Sequence, residues 1–95
     1  MRTSKNIKCF LNALSEFGLK KKSLKHEGNQ IILIVEGDCC GTHLELRLYL
    51  SEDGCKLLNY FALSDAIVSP EKYLEWFSEI MSKVKECFQE RSVER

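Results

Sequence analysis

The tightest constraint in this chain is a strict alternation. Leu44, Leu46, Leu48 and Leu50 occupy every second position between Thr42 and Leu50, and His43, Glu45, Arg47 and Tyr49 fall between them. Successive side chains of an extended strand point to opposite faces, whereas a helix would scatter these four leucines around its circumference. The segment therefore reads as a β-strand with one face in a hydrophobic core and one toward water, and the rest of the chain must supply a cover for the leucines.

Two flanking segments complete a sheet. Gln30 to Glu36 holds five consecutive aliphatics, Ile31 to Val35, so both of its faces call for cover. Lys56 to Leu63 is mixed, with Leu58, Tyr60 and Ala62 on one side and Leu57, Asn59, Phe61 and Leu63 on the other. The connections are short, so neighbouring strands run antiparallel. Ser51-Glu52-Asp53-Gly54 suits a type I turn with the glycine in the left-handed bulge position, which pairs Leu48 with Leu58 and Leu46 with Tyr60. A four-residue loop sets Leu48 opposite Leu57 instead. That one-residue choice decides which face Phe61 joins.

The cover comes from two helices. Between Ser4 and Phe17, Ile7, Phe10, Leu11, Leu14 and Phe17 form one helical stripe, with Ser4 as N-cap and Gly18 in the left-handed position after the last turn. Ser69-Pro70-Glu71 opens a second helix with a cap, a proline at the first position and an acid at the positive end of the dipole. Its stripe runs through Tyr73, Trp76, Phe77, Ile80, Met81, Val84, Cys87 and Phe88. Leu19 to Asn29 is polar and reads as a loop, with a short edge strand around Leu24. The expected fold is α+β: helix, three-stranded antiparallel meander, helix, with both helices packed on one sheet face.

Ninety-five residues, 44% hydrophobic and 29% charged, make one domain over residues 1–95, with a tail fraying from about Gln89. No apolar run approaches the roughly 20 residues of a membrane span, and no signal-like stretch follows Met1. Five cysteines, an odd number, fit a reducing compartment better than a disulfide framework, so a cytoplasmic protein is expected. The net charge is zero but uneven. Residues 1–28 carry seven basic and two acidic side chains, net +5, and residues 29–95 carry seven and twelve, net −5.

No catalytic motif stands out. Cys39 and Cys40 with His43 could bind a soft metal or cycle through a vicinal disulfide, but adjacent cysteines lack the spacing of a zinc site. As a nucleophile either cysteine lacks an orienting acid for His43, since a turn points Asp38 elsewhere. Cys9 and Cys87 read as small packing residues in the helix stripes. No metal or other cofactor is expected, and the chain is read as a non-enzyme. The face opposite the leucines is the better candidate. His43, Glu45, Arg47 and Tyr49 lie on it beside one side of the aliphatic strand, either Ile32 and Ile34 or Ile31, Leu33 and Val35. An apolar centre with a polar rim is the anatomy of a recognition surface. We take Tyr49, Arg47, Glu45, His43, Ile32 and Ile34 as partner-binding residues. That face and the long second stripe exceed what one chain buries, so a homodimer is expected, with another protein or peptide as a further partner.

The pattern from Leu11 to Gly18, through Ile31–Val35, Leu44–Leu50 and Leu57–Leu63 with the Glu52-Asp53-Gly54 turn, to the final helix resembles the type III secretion chaperone and YbjN-like fold. The resemblance covers roughly residues 7–88 and implies a protein-binding, commonly dimeric domain. The same element order resembles a double-stranded RNA-binding domain, with Lys20, Lys21, Lys22 and Lys25 as phosphate contacts. Such domains carry a lysine cluster at the start of the last helix, where this chain has Ser69-Pro70-Glu71-Lys72-Tyr73-Leu74-Glu75. Nucleic-acid binding is accordingly expected to be weak and sequence-independent, and to fade between about 50 and 200 mM salt. A filter-binding titration checks this. Sub-micromolar affinity at about 150 mM salt, abolished by Lys21→Glu with Lys22→Glu, would reverse the ranking.

Overall fold

The alternating segment is β3, Thr42–Ser51, at the centre of an antiparallel sheet in a computed structural model that describes residues 4–90, the last two as backbone. The chain runs α1 (Lys5–Ala13), a 3₁₀ turn (Leu14–Phe17), β1 (Leu19–Glu27), β2 (Gln30–Cys39), β3, β4 (Lys56–Ser64), α2 (Pro70–Cys87) and a two-residue β5 (Gln89–Glu90). The fold is α+β, as expected, but the antiparallel sheet has four strands rather than three. They lie in sequence order, and β5 joins β4 in parallel at Lys56 and Leu57. Of the tail expected to fray from about Gln89, Gln89 and Glu90 form this strand and residues 91–95 lie outside the described residues.

The added strand is the segment read as a loop with a short edge strand around Leu24; the edge strand is there but runs the whole length from Leu19 to Glu27. Its apolar residues, Leu19 and Leu24, stand five apart, out of phase with a period of two. A bulge at Lys22 corrects the phase: Lys21 pairs with Val35 and Ser23 with Ile34, so Leu19 and Leu24 reach the same face, opposite Gly37 and Leu33. A second bulge does the same in β4. Leu50 pairs with Leu57 and Tyr49 with Asn59, which leaves Leu58 as the extra residue and puts Tyr60 opposite Leu48 and Ala62 opposite Leu46. Neither expected register holds, and Phe61 joins the face of Arg47 and Tyr49. Gly54 does take the left-handed conformation at φ 76°, and its N–H donates to the Ser51 carbonyl at 2.8 Å.

The leucine face is the core. Leu44, Leu46, Leu48 and Leu50 are fully buried, as are Leu33, Val35, Phe10, Ile80 and Val84, with Ile31 nearly so. Each such side chain contributes roughly 1.5–3 kcal/mol relative to exposure. Both helices pack on this face in one cluster. Ser4 caps α1 as expected, its Oγ accepting from the Ile7 N–H at 3.1 Å, and the same hydroxyl donates to the Gly54 carbonyl and ties the helix to the β3–β4 turn. Ser69 makes no side-chain cap, so α2 starts on Pro70 with Glu71 in its first turn. Asn6 donates to the Cys87 carbonyl at 2.8 Å, and the Trp76 indole donates to the Phe17 carbonyl at 2.9 Å.

Two sequence readings change here. Cys9 and Cys87 are not separate packing residues but a disulfide between α1 and the end of α2, spanning 78 positions. Closing a loop of that length stabilises by up to about 4 kcal/mol through the unfolded chain. With Cys39 and Cys40 also bonded and Cys55 left free, the odd cysteine count no longer argues for a reducing compartment. The second correction concerns the α2 stripe. Ile80, Val84, Cys87 and Phe88 are buried, and Tyr73, Trp76, Phe77 and Met81 are half-buried, so one chain covers most of what the dimer argument had left over. Among the described residues no helix is long and apolar enough to cross a membrane.

The start of β1 leaves no room at Gly37, where an added Cβ would meet the Gly18 carbonyl oxygen and come within 2.8 Å of Leu19 Cδ2. Backbone cannot yield as a side chain does, so Gly37→Ala is expected to cost about 1–3 kcal/mol in urea unfolding. Gly28→Ala, in open space at φ 61°, should cost about 1–2 kcal/mol from the left-handed backbone alone.

Candidate functional site

The β2–β3 register decides what the open sheet face displays. Ile32 stands opposite Tyr49, Ile34 opposite Arg47, Glu36 opposite Glu45 and Asp38 opposite His43. The sequence had left two choices for the aliphatic strand, and the observed one is Ile32 and Ile34, with Ile31, Leu33 and Val35 in the core. The six expected residues therefore share one surface. β4 adds two that the mixed pattern of that strand had hidden: Phe61, opposite Arg47, and Leu63, opposite Glu45, both about half exposed. Tyr49 and Phe61 meet edge to face, with ring centroids 5.6 Å apart. Ile32, Ile34, Tyr49, Phe61 and Leu63 form the apolar part of the face.

The charged residues beside them are bonded to one another. The Lys22 ammonium donates to Glu45 Oε1 at 2.9 Å and the Arg47 Nε to Glu45 Oε2 at 2.8 Å, so each carboxylate oxygen has its own cation. Lys22 reaches this position because it is the extra residue of the β1 bulge, which re-aims its side chain across β2. The lysine beside Glu45, and then Arg47, hold that carboxyl below its ordinary value of 4.5, and Glu45 in turn raises Lys22 and Arg47. Lys22 is thus neutralised, with Glu36 Oε1 also at 3.9 Å, while Lys20, Lys21 and Lys25 lie exposed along strand β1 rather than on a loop. The helix–three strands–helix order behind the RNA-binding comparison is not the observed one.

At the other end of the face, His43 Nδ1 lies 2.9 Å from Asp38 Oδ1, and Nε2 lies 3.6 Å from Glu36. The expectation that a turn would direct Asp38 away from His43 fails because β2 runs on to Cys39, which makes Asp38 and His43 a cross-strand pair. The turn itself is only Cys40–Gly41, both left-handed at φ 60° and 77°, and it carries the Cys39–Cys40 disulfide. Bonded to each other, these sulfurs present no thiolate to His43. Beside it the buried Thr42 hydroxyl donates to the Ala66 carbonyl and accepts from the Val68 N–H, holding the β4–α2 connection against the hairpin. His43, Glu45, Arg47, Leu63, Ser64 and Asp65 line a shallow depression of about 220 Å³. Among the described residues no three His, Cys, Asp or Glu side chains gather as a cation site.

No family model, curated protein or solved structure matches this chain.

The two ends of the face respond oppositely to pH. Asp38 raises the His43 imidazole above its ordinary 6.5, so the contribution of that pair is complete below 6.5 and fades as pH rises through the raised value. The Glu45 contribution is complete above 4.5 and fades as pH falls through the lowered value. An NMR titration should find His43 above 6.5, returning toward it in Asp38→Asn. A His43 midpoint that ignores this substitution would break the assignment.

Proposed function

We propose that this chain is a non-enzymatic protein-binding module, chaperone-like or an adaptor, which works as a homodimer and recognises its partner with the open sheet face. One observation carries the reading: five apolar side chains from three adjacent strands share one sheet face, Phe61 and Leu63 about half exposed and Ile32, Ile34 and Tyr49 partly so, bordered by the Lys22–Glu45–Arg47 cluster and the His43–Asp38 pair. A monomer that bound nothing would have no use for this arrangement, since apolar side chains gain by leaving water. The rim charges are bonded together in advance, so a partner meets oriented groups instead of free rotamers, and less entropy is lost on binding.

Tyr49 is the residue to change. It sits over the centre of the face, while its neighbours Leu48 and Leu50 hold the core from the other side. Tyr49→Glu is expected to keep the far-UV spectrum and lose about 1 kcal/mol, mostly its contact with Phe61. It should also lose the cross-linked partner that the wild type retains. Should the variant unfold, or bind as the wild type does, the recognition face is elsewhere.

A further inference from the structure

The β2–β3 turn joins two features that its local sequence does not call for. Among the described residues, Cys40 is the one other than glycine with a left-handed backbone, at φ 60°, and it stands first of the two central residues. Turns of this kind favour Asn, Asp or Gly there, because a β-carbon crowds the backbone at positive φ. The same residue is bonded to its neighbour Cys39. That bond ties the Cys40 side chain back to β2 and holds the residue in a conformation it would not otherwise favour.

The hairpin end is also the anchor for the connection between β4 and α2. Three hydrogen bonds fasten this connection: the Asp65 N–H donates to the His43 carbonyl at 3.2 Å, the Thr42 hydroxyl to the Ala66 carbonyl at 3.3 Å, and the Val68 N–H to the Thr42 hydroxyl at 3.2 Å. The Val68 side chain lies against Gly41, where an added Cβ would meet it at 3.4 Å, yet Val68 itself is 69% exposed. Cys39 pairs with Thr42, so its side chain leaves the hairpin on the same side as the hydroxyl that holds the connection. Both ends of the described chain lie at the opposite end of β3, with Ser4 at Gly54 and β5 beside Lys56 and Leu57.

We propose that the Cys39–Cys40 bond is a reversible redox latch: closed, it holds the turn that docks the β4–α2 connection, and reduction by a dithiol releases both. A thiolate of the dithiol attacks one sulfur, the S–S bond breaks and a mixed disulfide forms. The second thiolate of the reductant then displaces the protein sulfur. Two electrons and two protons pass to Cys39 and Cys40, and the reductant leaves as its own disulfide. This bond opens before Cys9–Cys87 for two reasons. Joining neighbours takes little freedom from the unfolded chain, whereas closing a separation of 78 takes much. Cys39 and Cys40 are half-buried at the tip of a hairpin, whereas Cys87 is buried under the helices. Once the latch is open, Cys40 can leave the left-handed region and Thr42 loses its fixed place. Ser64 and Asp65 line the depression with His43, Glu45 and Arg47, so release reshapes that end of the open face. The inference does not depend on what that face binds.

Titration of the full chain with dithiothreitol, an acid quench, N-ethylmaleimide labelling in denaturant and peptide mass spectrometry give the order of opening. The oxidised chain should take one label, at Cys55. Cys39 and Cys40 should then label at a dithiothreitol concentration at least about tenfold below that which opens Cys9–Cys87. Between those concentrations the Val68 amide should exchange its hydrogen at least about tenfold faster by NMR, and removing the reductant should restore it. Cys39→Ser with Cys40→Ser should exchange fast without reductant. Cys39→Ser with Cys40→Asn should exchange as slowly as the oxidised wild type and ignore dithiothreitol, because asparagine accepts the left-handed backbone. The latch is overturned by an oxidised chain that labels at Cys39 and Cys40, by a pair that opens only together with Cys9–Cys87, or by a Val68 amide indifferent to reduction. An asparagine variant as fast as the serine one also overturns it, since the Cys40 backbone is then not what the bond holds. If the double-serine variant fails to fold, the wild type before and after reduction decides alone.

Discussion

The pairing of β2 with β3 is the interaction on which the other elements depend. It runs through ten consecutive residue pairs, from Gln30–Ser51 to Cys39–Thr42, with no irregularity. Because side chains alternate, this one register sends Ile31, Leu33 and Val35 into the core with the four leucines and leaves Ile32 and Ile34 outside with Tyr49 and Arg47. A shift of one residue would exchange the two sets and bury Arg47 and Glu45. The cost of burying such groups unpaired makes that alternative inaccessible. Both helices, the bulges and the open face are arranged around this decision.

The flanking strands reach the same core by a different route. Each carries its apolar residues at a spacing that no regular strand could bury on one side: Leu19 with Leu24, and Leu57 with Tyr60. Each gives up one residue to a bulge and recovers the phase beyond it. On the β1 side the displaced residue is Lys22, which becomes the second cation of Glu45. One local irregularity therefore both completes the sheet and finishes the polar border of the open face. On the β4 side the displaced residue precedes a regular, uncharged stretch. Both flanking strands thus reach their register by the same device.

The covered side is closed by contacts between distant parts of the chain. Ser4 reaches Gly54, Asn6 reaches Cys87, Trp76 reaches Phe17, and Cys9 is bonded to Cys87. They fasten the two helices to each other and to the β3–β4 turn, and among the described residues no element lies over the opposite side of the sheet. A rigid sheet held from behind can present an apolar surface without collapsing onto it.

Much of this could be read along the chain. The leucine alternation, the Ser4 cap, the Gly18 and Gly54 conformations, the α2 stripe and the shared face of His43, Glu45, Arg47 and Tyr49 follow from local periodicity and local backbone preference, whereas the choice of Ile32 and Ile34 waited on the β2–β3 register. What could not be read were the contacts that join segments far apart. β1 looked like a loop because its bulge breaks the alternation, and only pairing with β2 makes it a strand. The Asp38–His43 pair needed the full length of β2. The Cys9–Cys87 bond needed both helices packed on one face, and the place of Phe61 needed the bulge at Leu58. The residues for each are present in the sequence, but they become neighbours only once the sheet has chosen its register and the helices have closed over it.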